Sequence, residues 1–323
     1  MALQIIDPGF LTLTQDLGRF GQHHLGLTTG GPMDPFAFRF ANRLVDNQAN
    51  SVALEITMGG FKAVATQDMC VAVTGAKVDV SVDGKRQPQW RTLYIKNGQK
   101  IELAYAVKGC RIYLSVAGGF DIKKQFDSAS AVVREGIGGI NGGKLESGAE
   151  LKLKKRNSLN QAWYLPESYI PNYGNHAVLR VIPGYQEKHF SRHQQRRFFY
   201  HDFRISDLAD RMGYRLQGPK IECDINGILS EGICLGAIQI PADGQPIVLM
   251  NDRQTIGGYP KIGSVLSLDL AKLSQLTPGA TVNFEPISID HAHNLLHLAD
   301  HKFKQIELKP CLLEANHERG FDV

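Results

Sequence analysis

Turn chemistry at short intervals limits this chain more than any other feature of its sequence. Asp83-Gly84 and Asn97-Gly98 are strong two-residue hairpin signals, and Pro241-Ala242-Asp243-Gly244 carries the same chemistry later on. Each lies beside short runs of apolar residues. Leu54, Ile56 and Met58 alternate with Glu55 and Thr57, and Val78, Val80 and Val82 repeat the pattern, as a half-buried strand requires. Gln89 to Ile95, Lys100 to Leu103 and Arg111 to Val116 continue the series. A chain reversed so often pairs its strands with sequence neighbours, so the expected fold is mainly β, an antiparallel sheet or barrel.

Helices interrupt this pattern at four places. Asp34 can cap and Pro35 suits a first helical position, with Phe36, Phe40 and Leu44 following at intervals of four. That helix is expected to plug a barrel end. A second is predicted from Glu187 to Phe199, a short third from Asp269 as its cap through Leu276, and a terminal one after Phe284. Between residues 158 and 176 the periodicity dissolves into turn formers, which marks a lobe junction. A chain of 323 residues with 43% apolar content can bury a large core in two lobes. The expected division is a β-rich lobe over 1–158, a barrel lobe over 177–286, and a helix and tail over 287–323.

Composition narrows the function. The net charge of +4, from 36 basic and 32 acidic residues, is too small a surplus to imply nucleic acid. The basic runs at Lys152, Lys154, Lys155 and Arg156, and at Arg192, Arg196 and Arg197, lack interleaved aromatics and read as solvated surface. No stretch approaches the roughly 18 apolar residues of a spanning helix, and the start of the chain has no signal-peptide pattern. The expectation is a soluble, cytoplasmic protein without membrane or nucleic-acid partners. Five cysteines without a paired CxxC spacing suit a reducing compartment.

Three motifs with apparent chemistry fail on their details. Gly138 to Lys144 has the spacing of a phosphate-binding loop, but Leu145 replaces the hydroxyl that would ligate magnesium. His293, His297 and His301 fall off the apolar stripe of the terminal helix, and no metal site is expected there. Cys234 has no histidine beside it and is expected to be a small buried thiol.

The densest chemistry runs from Ser230 to Leu268. Strand, turn and strand deliver Asn251-Asp252-Arg253-Gln254-Thr255-Ile256-Gly257-Gly258-Tyr259-Pro260-Lys261, which gathers a carboxylate, a guanidinium, an amide, a phenol and an amine. Lys261 and Arg253 can hold an anionic oxygen. Asp252 can orient a donor or act as base, Tyr259 offers a phenol, Gln254 an amide, and Gly257-Gly258 lets backbone approach a ligand. The competing reading is a packed loop with an internal Asp–Arg pair. Thr255 belongs to the same segment, and Arg211 and Arg215 can reach a site, although Arg215 equally fits a strand surface. Gln239 alternates with Ile238 and Ile240 and points away from their face. Asp16 and Arg19 are expected to pair around the Gly18 turn.

This segment resembles the signature of the biotin-dependent carboxyltransferase-like family, which includes the C subunit of 5-oxoprolinase, KipA-type antagonists of a sporulation-kinase inhibitor, and allophanate hydrolase subunit 2. Two further blocks resemble the family in the same order. The first is Gln15-Asp16-Leu17-Gly18-Arg19-Phe20-Gly21, His24-Leu25-Gly26, Gly31-Pro32-Met33-Asp34 and Ala53 to Gly60. The second is Arg180 to Gly184 with Asp210 to Leu216. One departure stands out: a Gly-Ser-Arg-type segment of the family reads Phe126-Asp127-Ser128-Ala129-Ser130 here, without arginine.

The resemblance implies a cyclophilin-like β-barrel architecture and a site at 251–261. It implies a catalytic role for Asp252, Tyr259 and Lys261, and substrate binding by Arg253, Gln254, Thr255, Gly257, Gly258, Arg211 and Arg215. The implied activity is ATP-dependent opening of 5-oxo-L-proline to L-glutamate. ATP would be bound with or by the partner A and B subunits of 5-oxoprolinase, the KipI-like B subunit being the most direct partner. Two alternatives remain: a biotin-dependent carboxyltransferase with biotin carried on another protein, and a non-catalytic KipA-type regulator of a KipI-like protein.

Overall fold

The hairpin signals become sheets. The computed structural model describes residues 2–154, 159 and 161–312; Lys155 and Arg156 of the basic run, Ser158 and Asn160 of the expected junction, and the tail beyond Leu312 lie outside them. One antiparallel sheet has the order Glu150–Lys152, Ala2–Pro8, Gly59–Ala65, Lys100–Tyr105, Val80–Val82, Lys85–Gln87. The other runs Leu11–Gln15, Ala53–Thr57, Lys108–Val116, Met69–Lys77, Thr92–Ile95. Phe61, Ala63, Ile101 and Leu103 of the first sheet share one buried cluster with Leu54, Ile56, Val71 and Ile112 of the second. At the Asp83-Gly84 turn both residues have positive φ, 49° and 76°, the geometry whose twist matches the flanking strands.

The first helix, α1 (Pro35–Arg43), begins as expected, with Asp34 Oδ1 accepting from Ala37 N at 3.1 Å. It does not plug a barrel. It lies on the outer face of the five-stranded sheet, where Phe38 meets Tyr113 edge to face. Ala53–Thr57 is therefore buried on both faces rather than half-buried, and Glu55 is 1% exposed.

The second half closes into a seven-stranded barrel, in the order His176–Pro183, Lys261–Val265, Ala237–Gln239, Ile247–Leu249, Gly213–Gln217, Phe203–Ala209, Thr281–Pro286. Leu179, Val181, Ile238, Val248, Ile262 and Phe284 fill it, with Met33 from the first half packed against them. The mainly β, barrel-containing architecture matches the expectation.

The helices differ from the expected ones at their boundaries. The helix expected from Glu187 starts later, as α2 (Arg192–Tyr200), because Phe190 is extended and Ser191 supplies the N-cap. Asp269 is not a cap. It sits inside the first turn of α3 (Ser267–Ser274), and its carboxylate accepts from Arg180 N, Nε and Nη2 at 2.9, 2.7 and 2.7 Å. The terminal helix is α4 (Ile289–Gln305), which docks through Phe303 on Phe36 and Phe40. No helix of the described residues is long and apolar enough to cross a membrane.

Candidate functional site

The Ala237–Gln239/Ile247–Leu249 hairpin carries the polar segment to the place where the two halves meet. Met250 N donates to Met212 O at 2.9 Å, and the chain then turns through Asn251, Asp252 and Arg253. Asn251 Nδ2 donates to Gly30 O at 3.1 Å and Pro32 O at 3.2 Å. Asp252 takes both oxygens to one partner: Arg211 Nε and Nη2 donate to them at 2.9 and 2.8 Å. The same guanidinium reaches Glu55 Oε1 at 2.5 Å and Gly31 O at 2.8 Å. Glu55 Oε2 in turn accepts from Met33 N at 2.8 Å and Tyr113 Oη at 2.7 Å. A buried Glu55–Arg211–Asp252 triad thus joins the sheets to the barrel.

Burial and charge act against each other within this triad. Burial raises the Glu55 carboxyl, but Arg211 and Arg111 outweigh it and hold the group below the ordinary carboxylate range. For Asp252 burial wins over Arg211, and its carboxyl is pushed up.

Arg253 turns away from this junction. It is 6% exposed, and among the described residues its Nε and Nη1 donate only to the carbonyls of Ile233 and Met250, at 3.2 and 3.4 Å. Burial pulls this guanidinium below its ordinary value, and Cys234 and Asp252 offset that only in part. A buried cation without a hydrogen-bonded carboxylate is a ready anion site.

Nearby, a register shift between Ile238 and Gln239 aligns Gln239 with Lys261 and Ala237 with Ser264. Such a bulge re-aims side chains. Ile238 and Ile262 stay in the barrel core, and Gln239, Lys261 and Ser264 share its outer face. Above them lies a ribbon of Glu231–Gly232 paired with Ile256–Gly257. Glu231 forms an ion pair with Lys261 and accepts from Gln186 Nε2 at 3.1 Å. Cys234 is exposed rather than buried, and its Sγ lies 3.1 Å from Ser264 Oγ.

The expected site residues therefore separate. Arg253, Gly257, Gly258 and Lys261 gather at the ribbon. Gly258 is held close there, because a Cβ would stand 2.9 Å from Ile228 O. Thr255 O accepts from Ile233 N at 3.0 Å. Gln254 and Tyr259 are exposed. Asp252 and Arg211 belong to the lobe junction, and Arg215 pairs with Asp243 at 3.2 Å on the far turn of the hairpin.

The sequence model described as "Carboxyltransferase domain, subdomain A and B" matches residues 25–286. The chain belongs to this family. It is 36% identical over 294 residues to the 5-oxoprolinase C subunit of Haemophilus influenzae, covering 91% of this chain and 94% of that one. It is 38% identical to the 5-oxoprolinase C subunit of Escherichia coli, covering 90% and 93%. The crystal structure of the K. lactis urea amidolyase matches 95% of this chain with a TM-score of 0.89 at 30% identity, but this chain spans only 20% of that larger protein.

Asp16 and Arg19 do not pair as expected. Asp16 accepts from Gly18 N, Ser128 Oγ, Ala129 N and Ser130 Oγ, at 3.0, 2.6, 2.8 and 2.7 Å. Arg19 donates to Gln125 O and Ser130 O, both at 3.2 Å. Ala129 is wholly buried in the sheet core.

The glycine-rich loop at 138–144 does not fit a nucleotide phosphate. Its amides at Gly138, Gly139, Gly142 and Gly143 are already bonded to Gln125, Ala129, Gly138 and Ile140, and Leu145 is buried. Among the described residues no group of three or more His, Cys, Asp or Glu side chains is placed to hold a metal ion.

Sequence reasoning missed Glu55, Glu231 and Ser264. Glu55 gave no signal of its own, since between Leu54 and Ile56 it reads as the polar side of a half-buried strand.

Proposed function

We propose that this chain is the C subunit of a 5-oxoprolinase, acting with the A and B subunits to open 5-oxo-L-proline to L-glutamate, and that its substrate site is the barrel face at Arg253 and Lys261. The observation that carries this reading is the Arg253 guanidinium, buried without a hydrogen-bonded carboxylate. Supporting it, the similarity to the 5-oxoprolinase C subunits runs over nine-tenths of both chains.

A lactam is a poor electrophile because its nitrogen delocalises into the carbonyl, so opening it demands stabilisation of charge on the carbonyl oxygen. Arg253 and Lys261 supply that charge in a partly dehydrated place. Tyr259, 47% exposed at the rim, is the phenol available to handle a proton. Both Asp252 oxygens are engaged by Arg211, so we assign Asp252 to positioning Arg253. ATP is assigned to the partner subunits.

The test is ATP-dependent release of glutamate from 5-oxoproline by the cognate A and B subunits, with and without this chain. Release only in its presence supports the reading. No release despite confirmed assembly overturns it in favour of carboxyl transfer from biotin carried on another protein.

A further inference from the structure

The outer barrel face holds polar groups that the chain itself leaves unanswered. Gln239 is 6% exposed, yet among the described residues its side-chain amide makes no hydrogen bond. Its amide atoms are not sealed off, so its donors and acceptor stay open to a ligand that reaches this face. Lys261 sits across from it in register. Its Nζ is buried, faces Glu231 as ion-pair partner, and has no further hydrogen-bond acceptor among the described residues. Glu231 is itself part of the ribbon, with a side chain 43% exposed.

The ribbon is built to close tightly over this spot. A Cβ on Gly257 would stand 2.9 Å from Gln239 Nε2 and 2.5 Å from Ile233 Cδ1. A larger residue there would have to push these two side-chain ends aside. The ribbon is also short, with two residues in each strand, and Ile256 at its edge is 60% exposed. Few contacts therefore oppose its lifting.

We propose that Gln239 reads the amide edge of the ligand, and that Glu231 is a resident counter-ion which the ligand's anionic group displaces from Lys261 as the ribbon lifts. This rests on the reading of the Arg253–Lys261 face as the substrate site. The chemistry follows from the groups. A glutamine amide offers an acceptor beside two donors, and its complement is an edge with N–H beside C=O, as in a lactam or a cyclic urea. Lys261 and the Arg253 edge offer only donors and positive charge, and their complement is a carboxylate or similar anion. The ligand class is thus a compact ring carrying both an amide edge and an acid, and neither half alone satisfies the face.

Cys234 provides a readout independent of turnover, since it is exposed at the edge of this face. In the complex with the cognate A and B subunits, alkylation of Cys234 by iodoacetamide is followed by peptide mass spectrometry. Three probes are compared: 5-oxo-L-proline, cyclopentanecarboxylate without the amide, and 2-pyrrolidinone without the acid. 5-Oxo-L-proline is expected to protect at concentrations where the other two do not. Gln239→Leu should raise its protecting concentration about tenfold and leave that of cyclopentanecarboxylate unchanged. Glu231→Gln should lower the protecting concentration of both acids. If Gln239→Leu disturbs folding, Gln239→Met, which keeps the length but carries neither charge nor amide, serves instead. Equal protection by all three probes, or no effect of either Gln239 variant, overturns the proposal. Selective protection without turnover sinks the 5-oxoprolinase reading and supports this one; turnover that is indifferent to Gln239 does the reverse.

Discussion

Replacing Arg211 by methionine tests the triad at the lobe junction. The substitution keeps much of the side-chain volume and removes one charge, leaving Glu55 at 1% and Asp252 at 5% exposure without their shared cation. Breaking a buried ion pair from one side costs about 3–5 kcal/mol, a large share of the roughly 5–15 kcal/mol that holds a typical domain folded. The pH dependence carries the sharper test.

In the native protein the Glu55 carboxyl is held low, so its contribution is fully present above the unfolded carboxylate pKa and lost as pH falls through the folded one. Asp252 is pushed up, so it opposes folding as pH rises. Without Arg211 both groups shift upward, Glu55 keeping only Arg111 as a cationic neighbour and Asp252 keeping none of its bonded charge, so the variant loses stability relative to the native protein as pH rises through the carboxylate range. The difference between native and variant, from urea unfolding followed by fluorescence and circular dichroism, should therefore be larger at pH 8 than at pH 5. Adding Glu55→Gln to the variant should recover part of the loss at pH 8. A difference below about 1 kcal/mol, or one that does not change with pH, would refute the view that the two carboxylates left without Arg211 carry the cost.

Two other variants separate function from stability. Arg253→Met removes a buried cation that has no hydrogen-bonded carboxylate. Folding stability should hold or rise while kcat/KM of the assembled complex falls about a hundredfold; lost stability with unchanged turnover would leave Arg253 a packing residue. Asp269→Asn disrupts the carboxylate buried against Arg180 and Lys272, at an expected cost of about 3 kcal/mol at pH 7. Burial raises the Asp269 carboxyl, but those partners outweigh it and hold it low. Its stabilisation is thus complete above the ordinary aspartate range and lost as pH falls below it, so native and variant urea midpoints should converge as pH falls below that range.

The strands were legible because alternation is a local signal, and Val80–Val82 or Lys100–Tyr105 needs only its own residues to reveal a buried face. The triad was not, since Arg211 and Glu55 are 156 positions apart and no spacing rule links them. In sequence Glu55 reads as the polar side of a half-buried strand, and only α1 and the barrel, arriving from elsewhere, bury it. At the site the polar density of 251–261 was visible, but not which groups neighbours would engage. Asp252 and Arg253 are adjacent in sequence, yet the first is held by Arg211 and the second is left without a carboxylate. Alternation correctly turned Gln239 away from Ile238, whereas the register shift that sets it opposite Lys261 depends on a strand pairing that the sequence does not declare.

The turn at 251–253 explains why a structural and a functional reading of the same residues were so hard to separate. Three consecutive side chains leave it in three directions: Asn251 to the carbonyls of Gly30 and Pro32, Asp252 to Arg211, and Arg253 to the carbonyls of Ile233 and Met250. The backbone between them is fixed by Asp252 N to Arg211 O at 2.8 Å and Arg253 N to Met250 O at 3.2 Å. An apolar contact could hold the lobes together equally well but would tolerate sliding, whereas a two-pronged Arg211–Asp252 pair with Glu55 behind it has one geometry. The residues that lock the lobes therefore also set where the unpaired guanidinium points. A polar junction is the form of contact that can aim Arg253, and the cost of burying its charges is the condition for that aim.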